Sequence, residues 1–165
     1  MNMAEKEVQH SSQELYQGKY KIKSVRATWR NYNEGLYFIT ICTAGKRHFF
    51  GEIKDAKMLF SEIGEYAQHC LSQIEQLHRN VVVPYCVVMP NHVHVLFAPL
   101  AHHTMSTIIQ SWKSFTARIM RKRIGGIGPF WQKESWDRLI RSESHFRYVA
   151  NYIRNNPGKS NIPVY

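Results

Sequence analysis

The residues of this chain best suited to chemistry are two histidines one residue apart, His92 and His94, and a C-terminal pair four residues apart, Tyr152 and Asn156. Side chains alternate across an extended strand, so His92 and His94 point to one face with Cα atoms roughly 6–7 Å apart, and two imidazoles so placed can converge on one cation. The same triplet also suits two sheet histidines held only by packing and hydrogen bonds, so its meaning depends on what faces it. Tyr152 and Asn156 are one helical turn apart. The phenol can meet a site on a neighbouring sheet, and the carboxamide oxygen can serve as a further ligand there. On local sequence alone Tyr152 is equally a boundary aromatic with its hydroxyl in water, and Asn155-Asn156-Pro157-Gly158 is equally a helix stop.

Leu36–Thr43 (LYFITICT), after the turn-like Asn33-Glu34-Gly35, is rich in β-branched and aromatic residues and reads as a central strand. A basic loop follows, Gly45-Lys46-Arg47-His48. Leu59, Ile63, Tyr66, Cys70, Ile74 and Leu77 recur at helical intervals, predicting a helix from Leu59 that ends near Asn80. Val81–Met89 and His92–Ala98 read as two strands of a hairpin turning at Pro90-Asn91, with Pro84 marking a bulge or an edge. Met105, Ile108, Ile109, Trp112, Phe115 and Ile119 predict a second helix, broken at Gly125-Gly126. Trp136–Arg141 is a short strand candidate. Glu143–Asn156 is a third helix, capped by Ser142, whose stripe Phe146, Val149, Ala150 and Ile153 faces the core; that orientation sets Tyr152 on its flank and Tyr148 further toward solvent. Strand, helix, two strands, helix, strand, helix is the order of an α+β, ferredoxin-like fold, an antiparallel sheet with packed helices.

With 165 residues, 44% of them hydrophobic, the chain suits one compact domain, expected over residues 35–165 behind a basic N-terminal arm at residues 1–34. Lys and Arg total 22 against 12 acidic residues, and the formal charge of +10 favours a polyanionic partner, nucleic acid first. Three cysteines without CxxC spacing point away from a zinc cluster or a disulfide scaffold. Neither a signal peptide nor a run near the roughly 20 apolar residues of a membrane span is evident, so no membrane and a cytoplasmic location are expected.

Met89-Pro90-Asn91-His92-Val93-His94-Val95-Leu96 resembles the metal-binding strand of HUH single-strand transposases. Phe130-Trp131-Gln132, Trp136-Asp137-Arg138-Leu139-Ile140-Arg141 and Asn151-Tyr152-Ile153-Arg154-Asn155-Asn156-Pro157 resemble the C-terminal signature of the REP-associated tyrosine transposase branch. The likeness spans about Gly35 to Lys159; Asn151 stands where relatives often carry Asp. It implies an HUH transposase-like fold, His92, His94 and Asn156 as ligands of a divalent metal (Mg²⁺ or Mn²⁺), and Tyr152 as the nucleophile of a single-strand DNA endonuclease and strand transferase working through a 5′-phosphotyrosine. A single-stranded or hairpin substrate needs charge for phosphates and rings for unpaired bases; Lys46, Arg47, Lys113, Arg118, Arg138 and Arg141 are the basic candidates, Trp131 and Trp136 the stacking ones. No obligate protein partner is evident, and the resemblance favours a monomer over a dimer.

Three other readings share these residues. A domesticated DNA-binding protein would recognise repeat hairpins without cutting them. A replication-type nickase would use the same site for another purpose. A different metal phosphoesterase, with Tyr152 only structural, would leave hydrolysed ends and no protein–DNA adduct.

Overall fold

The computed structural model describes residues 15–16, 20–21, 35–79, 81–100, 104–126 and 128–157. The chain divides into two units, Met1–Arg30 and Asn31–Tyr165. In the first, the two-residue strands β1 (Leu15–Tyr16) and β2 (Tyr20–Lys21) pair antiparallel; the rest of the arm expected over residues 1–34 lies outside the described residues.

The second unit is built on a four-stranded antiparallel sheet in the order β6-β7-β3-β8, formed by β3 (Tyr37–Cys42), β6 (Val81–Met89), β7 (His92–Pro99) and β8 (Trp136–Leu139). The expected hairpin at Pro90-Asn91 is present, joining β6 to β7. Pro84 has both properties expected of it. It lies on the edge strand β6, and the β6–β7 register shifts between Val82 and Tyr85, where a residue without an N–H belongs.

Residues opposite one another across an antiparallel sheet share a face. One face carries Tyr37, Ile39, Ile41, Val88, Val93, Val95 and Phe97. It forms the main core with α1 (Glu62–Ser72), α2 (Ile74–Leu77) and α3 (Met105–Ile124), which contribute Ile63, Ala67, Leu71, Ile74, Met105, Ile109, Trp112 and Met120. The other face carries Phe38, Thr40, Tyr85, Val87, His92, His94 and Leu96, and α4 (Glu143–Asn155) packs on it through Val149, Ala150 and Ile153. The α+β ferredoxin-like expectation therefore holds: an antiparallel sheet with packed helices.

Two elements depart from the sequence pattern. Leu59 does not open a helix: β4 (Gly51–Lys54) and β5 (Lys57–Phe60) form a separate hairpin, turning through Asp55 and Ala56, both at positive φ as a two-residue type I′ turn requires. Leu59 and Phe60 continue the helical period by coincidence, and both are exposed. The helix begins at Glu62, where the Ser61 hydroxyl accepts from Gly64 N (3.1 Å). Gly64 is needed there, since a Cβ would lie 2.0 Å from the Phe50 carbonyl oxygen.

Candidate active site

His92 and His94 lie on β7 and point, as alternation requires, to the face that α4 covers. Their Nε2 atoms are 3.0 Å apart. The proton positions follow from the partners. Asn91 Nδ2 donates to the Lys46 carbonyl (3.1 Å), which leaves Asn91 Oδ1 facing His92 Nδ1 at 2.7 Å. An amide oxygen only accepts, so Nδ1 carries the hydrogen and His92 Nε2 is a lone pair aimed into the site. His94 Nδ1 meets Thr40 Oγ1 at 2.8 Å; with the hydrogen on Nδ1, its Nε2 is likewise open, 3.2 Å from the Tyr152 hydroxyl. Two imidazole lone pairs then converge with a phenol beside them.

Burial keeps both rings neutral. His94 is fully buried, and desolvation, then its electrostatic coupling to His92, pushes its pKa down to about 3. Desolvation, then the electrostatic influence of Lys46 and His48, pushes His92 down to about 4. A neutral imidazole is the form that ligates a metal. Phe38 stacks on His94 (centroids 5.1 Å) and meets Tyr152 edge-on (6.1 Å), bracing both rings.

Tyr152 and Asn156 reach the site because the apolar stripe of α4 is turned into the sheet. The helix is fixed at its start by Ser142 Oγ, which accepts from His145 N (3.1 Å). Tyr152 is half-buried, while Tyr148, one turn earlier, is exposed. Burial raises the Tyr152 phenol above its usual value, and hydrogen bonding by the Asn156 side chain acts in the opposite direction. Asn156 is buried; its Nδ2 donates to the Tyr152 carbonyl (3.0 Å), and its Oδ1 is a buried acceptor without a partner among the described residues. An orphaned buried oxygen is what a third ligand looks like before its cation is supplied. Among the described residues no three His, Cys, Asp or Glu side chains converge, so a metal here would be held by two imidazoles and a carboxamide.

The expected DNA-binding residues separate into groups. Lys46 and Arg47 are exposed on the loop between β3 and β4, and Lys46 is near enough to His92 to depress its pKa. Trp136 lies opposite Thr40, which lies opposite His94, so the three share a row across the site face; Trp136 is 60% exposed and, at two strand spacings, roughly 10 Å from His94. Arg138 is exposed one pleat along the same face, opposite Phe38, and Arg141 is exposed beyond the strand.

Arg118 is exposed on α3, which packs on the opposite face of the sheet. Lys113 donates to the Gln132 and Lys133 carbonyls (2.6 and 2.9 Å) and ties down the segment before β8. Trp131 corrects the expectation of a stacking platform: it is 5% exposed, packed on Phe50, Trp112 and Phe130, with its indole N–H donating to Thr116 Oγ1 (2.9 Å). Phe130-Trp131-Gln132 instead clamps the end of β3, through Ala44 N to the Phe130 carbonyl and Gln132 N to the Cys42 carbonyl.

Thr40, Phe38 and Asn91 are the site residues to which sequence reasoning assigned no role. Asn91 was visible next to His92, but Thr40 and Phe38 become neighbours of His94 only through the β3–β7 register.

Residues 42–156 match the family described as transposase IS200 like. A protein of Haemophilus influenzae, itself uncharacterised, is 29% identical over 163 residues, covering 85% of this chain and 90% of the relative. Among solved structures, a REP-associated tyrosine transposase bound to a REP hairpin superposes with TM-score 0.55 at 19% identity, over 80% of this chain and 73% of the other. A candidate transposase of Deinococcus radiodurans R1 superposes with TM-score 0.52 at 19% identity, over 79% of this chain and 95% of the other.

Proposed function

The chain belongs to the IS200-like transposase family, enzymes of the tyrosine HUH group, and from that membership we propose that it cleaves and rejoins single-stranded or hairpin DNA through a 5′-phosphotyrosine intermediate. The observation that carries this reading is the Tyr152 hydroxyl 3.2 Å from His94 Nε2, beside the second imidazole and an Asn156 Oδ1 that has no partner among the described residues. HUH membership implies a metal-dependent reaction. His92, His94 and Asn156 would hold the metal, Mg²⁺ or Mn²⁺, which when bound supplies positive charge that polarises the scissile phosphate and steadies the charge developing on it.

Tyr152 does the bond chemistry. Its oxygen attacks phosphorus in line, the Tyr–O–P bond forms as the P–O3′ bond breaks, and the phenolic proton is balanced by the one gained by the released 3′-hydroxyl. The DNA 5′ end stays linked to the protein, so the phosphodiester energy is kept and another 3′-hydroxyl can reverse the step on a second strand. Asn156 counters the effect of burial on the phenol, and Phe38 holds its ring. Lys46, near His92, would meet backbone phosphates together with Arg47 of the same exposed loop, and Trp136, Arg138 and Arg141 would offer a stacking surface and further charge. The structural relative bound to a REP hairpin supports a hairpin as the first substrate to try. Tyr152 reaches His94 of its own chain, which favours action as a monomer, and DNA as the substrate implies the cytoplasm.

The test is incubation with Mn²⁺ and labelled single-stranded hairpin oligonucleotides, followed by a denaturing gel, with Tyr152→Phe alongside. A metal-dependent protein–DNA band that is lost in the variant is expected. Tight binding with no band under any metal would favour the non-cleaving DNA-binding reading, and cleavage surviving in Tyr152→Phe would remove Tyr152 as nucleophile.

A further inference from the structure

Resting on the metal reading above, we propose that Asn91 is a positioning residue whose one side chain sets the tautomer of His92 and ties the basic loop to the metal-binding strand. Its two polar atoms do different things. Oδ1 accepts from His92 Nδ1 (2.7 Å), which holds the hydrogen on the outer nitrogen and leaves Nε2 as the ligand lone pair. Nδ2 donates to the carbonyl of Lys46 (3.1 Å), at a residue held in the left-handed region (φ 53°).

The backbone repeats the tie. Thr43 N donates to the Asn91 carbonyl (2.9 Å), the Thr43 hydroxyl shares its one hydrogen between the Arg47 and Asn91 carbonyls (2.8 and 3.0 Å), and Phe50 N donates to the Pro90 carbonyl (3.0 Å). Residues 43–50 are thus clasped to the β6–β7 turn at both ends, and Asn91 supplies the side-chain link in the middle. The consequence is geometric. The backbone of Lys46, whose ammonium would meet a phosphate, and the His92 lone pair, which would meet the metal, are referenced to the same amide.

An amide that flips or is removed should lose both functions, and a carboxylate in its place should keep only the first. Asp at this position still accepts from His92 Nδ1 but has no N–H to give the Lys46 carbonyl.

The experiment measures Mn²⁺ binding by calorimetry in the DNA-free wild-type, Asn91→Ala and Asn91→Asp proteins, with ¹⁵N shifts of the His92 ring recorded in the metal-free proteins. Asn91→Ala is expected to weaken Mn²⁺ by roughly 10–100-fold and to move His92 away from the Nδ1–H tautomer, with Asn91→Asp restoring both. A double-mutant cycle then reads the second function: Lys46→Ala should lower single-strand affinity in the wild type and lower it less in Asn91→Ala. Equal Mn²⁺ affinity and an unchanged tautomer in Asn91→Ala, or failure of Asn91→Asp to restore them, would overturn the tautomer role, and strict additivity with Lys46→Ala would overturn the loop role. Wild-type protein that binds no Mn²⁺ would remove the metal reading itself. The His92 tautomer and the cycle would then still decide what Asn91 positions.

Discussion

His94 is buried and His92 half-buried, both as neutral rings, and that has a consequence for stability as well as for ligation. In the unfolded chain both titrate near 6.5; in the folded chain they are pushed down to about 4 and about 3. As pH falls below about 6.5 the unfolded chain takes up protons that the folded chain refuses, so stability declines from there until the folded rings titrate, and then levels off. Urea unfolding of chelator-treated protein should therefore give a lower midpoint near about pH 5 than near about pH 7, with each histidine contributing at most on the order of 1 kcal/mol per pH unit. His94→Gln should flatten this dependence; a midpoint equally steep in that variant would mean that other groups cause it. Trp136 belongs to the same scale. Its indole stands clear on the site face, and Trp136→Ala is expected to weaken single-strand binding by about 1–3 kcal/mol while leaving thermal stability nearly unchanged. A fall in melting temperature without a fall in affinity would assign the ring to packing.

Among the elements, α4 carries Tyr152 and is followed directly by Asn156, the extended residue at its C-terminal end, and its direction is set at its N-cap. The Ser142 hydroxyl accepts from His145 N, so Ser142→Ala should cost about 1 kcal/mol of stability and slow adduct formation by loosening the phenol, to be read by chemical denaturation and single-turnover kinetics. Adduct formation at the wild-type rate would show that packing of Val149, Ala150 and Ile153 alone places the helix. This helix was fully legible from sequence because cap, apolar stripe and stop agree within a single stretch of chain. The β4–β5 hairpin was not legible, because its strands are mostly exposed and its last two residues, Leu59 and Phe60, continue the period of the helix that follows. Trp131 was offered as a stacking ring because a single-stranded substrate needs one, and it is the approach of α3 and of the loop after β3 that puts it in the core.

For the molecule as a whole, the excess of 22 basic over 12 acidic residues matters less than which side of the sheet the charges occupy. Lys46 lies on the side of the histidines, and Arg118 lies on α3 behind the sheet. Single-strand affinity measured against salt should therefore lose about one unit of log–log slope or somewhat less in Lys46→Ala and keep its slope in Arg118→Ala. Equal losses would mean that the strand wraps both faces. Local order in the chain was enough to show that His92 and His94 share a face, that Tyr152 and Asn156 share a flank one turn apart, and that strands and helices alternate as an α+β sandwich, because alternation and helical period depend only on residues a few positions apart. Pairing of distant strands decided the rest: Thr40 opposite His94, Trp136 in the same row, the Asn91 amide between His92 and Lys46, and Trp131 in the core. Those relations depend on register and on which face each helix covers, and both are set by the burial of side chains that are far apart in sequence and adjacent only once the sheet has formed.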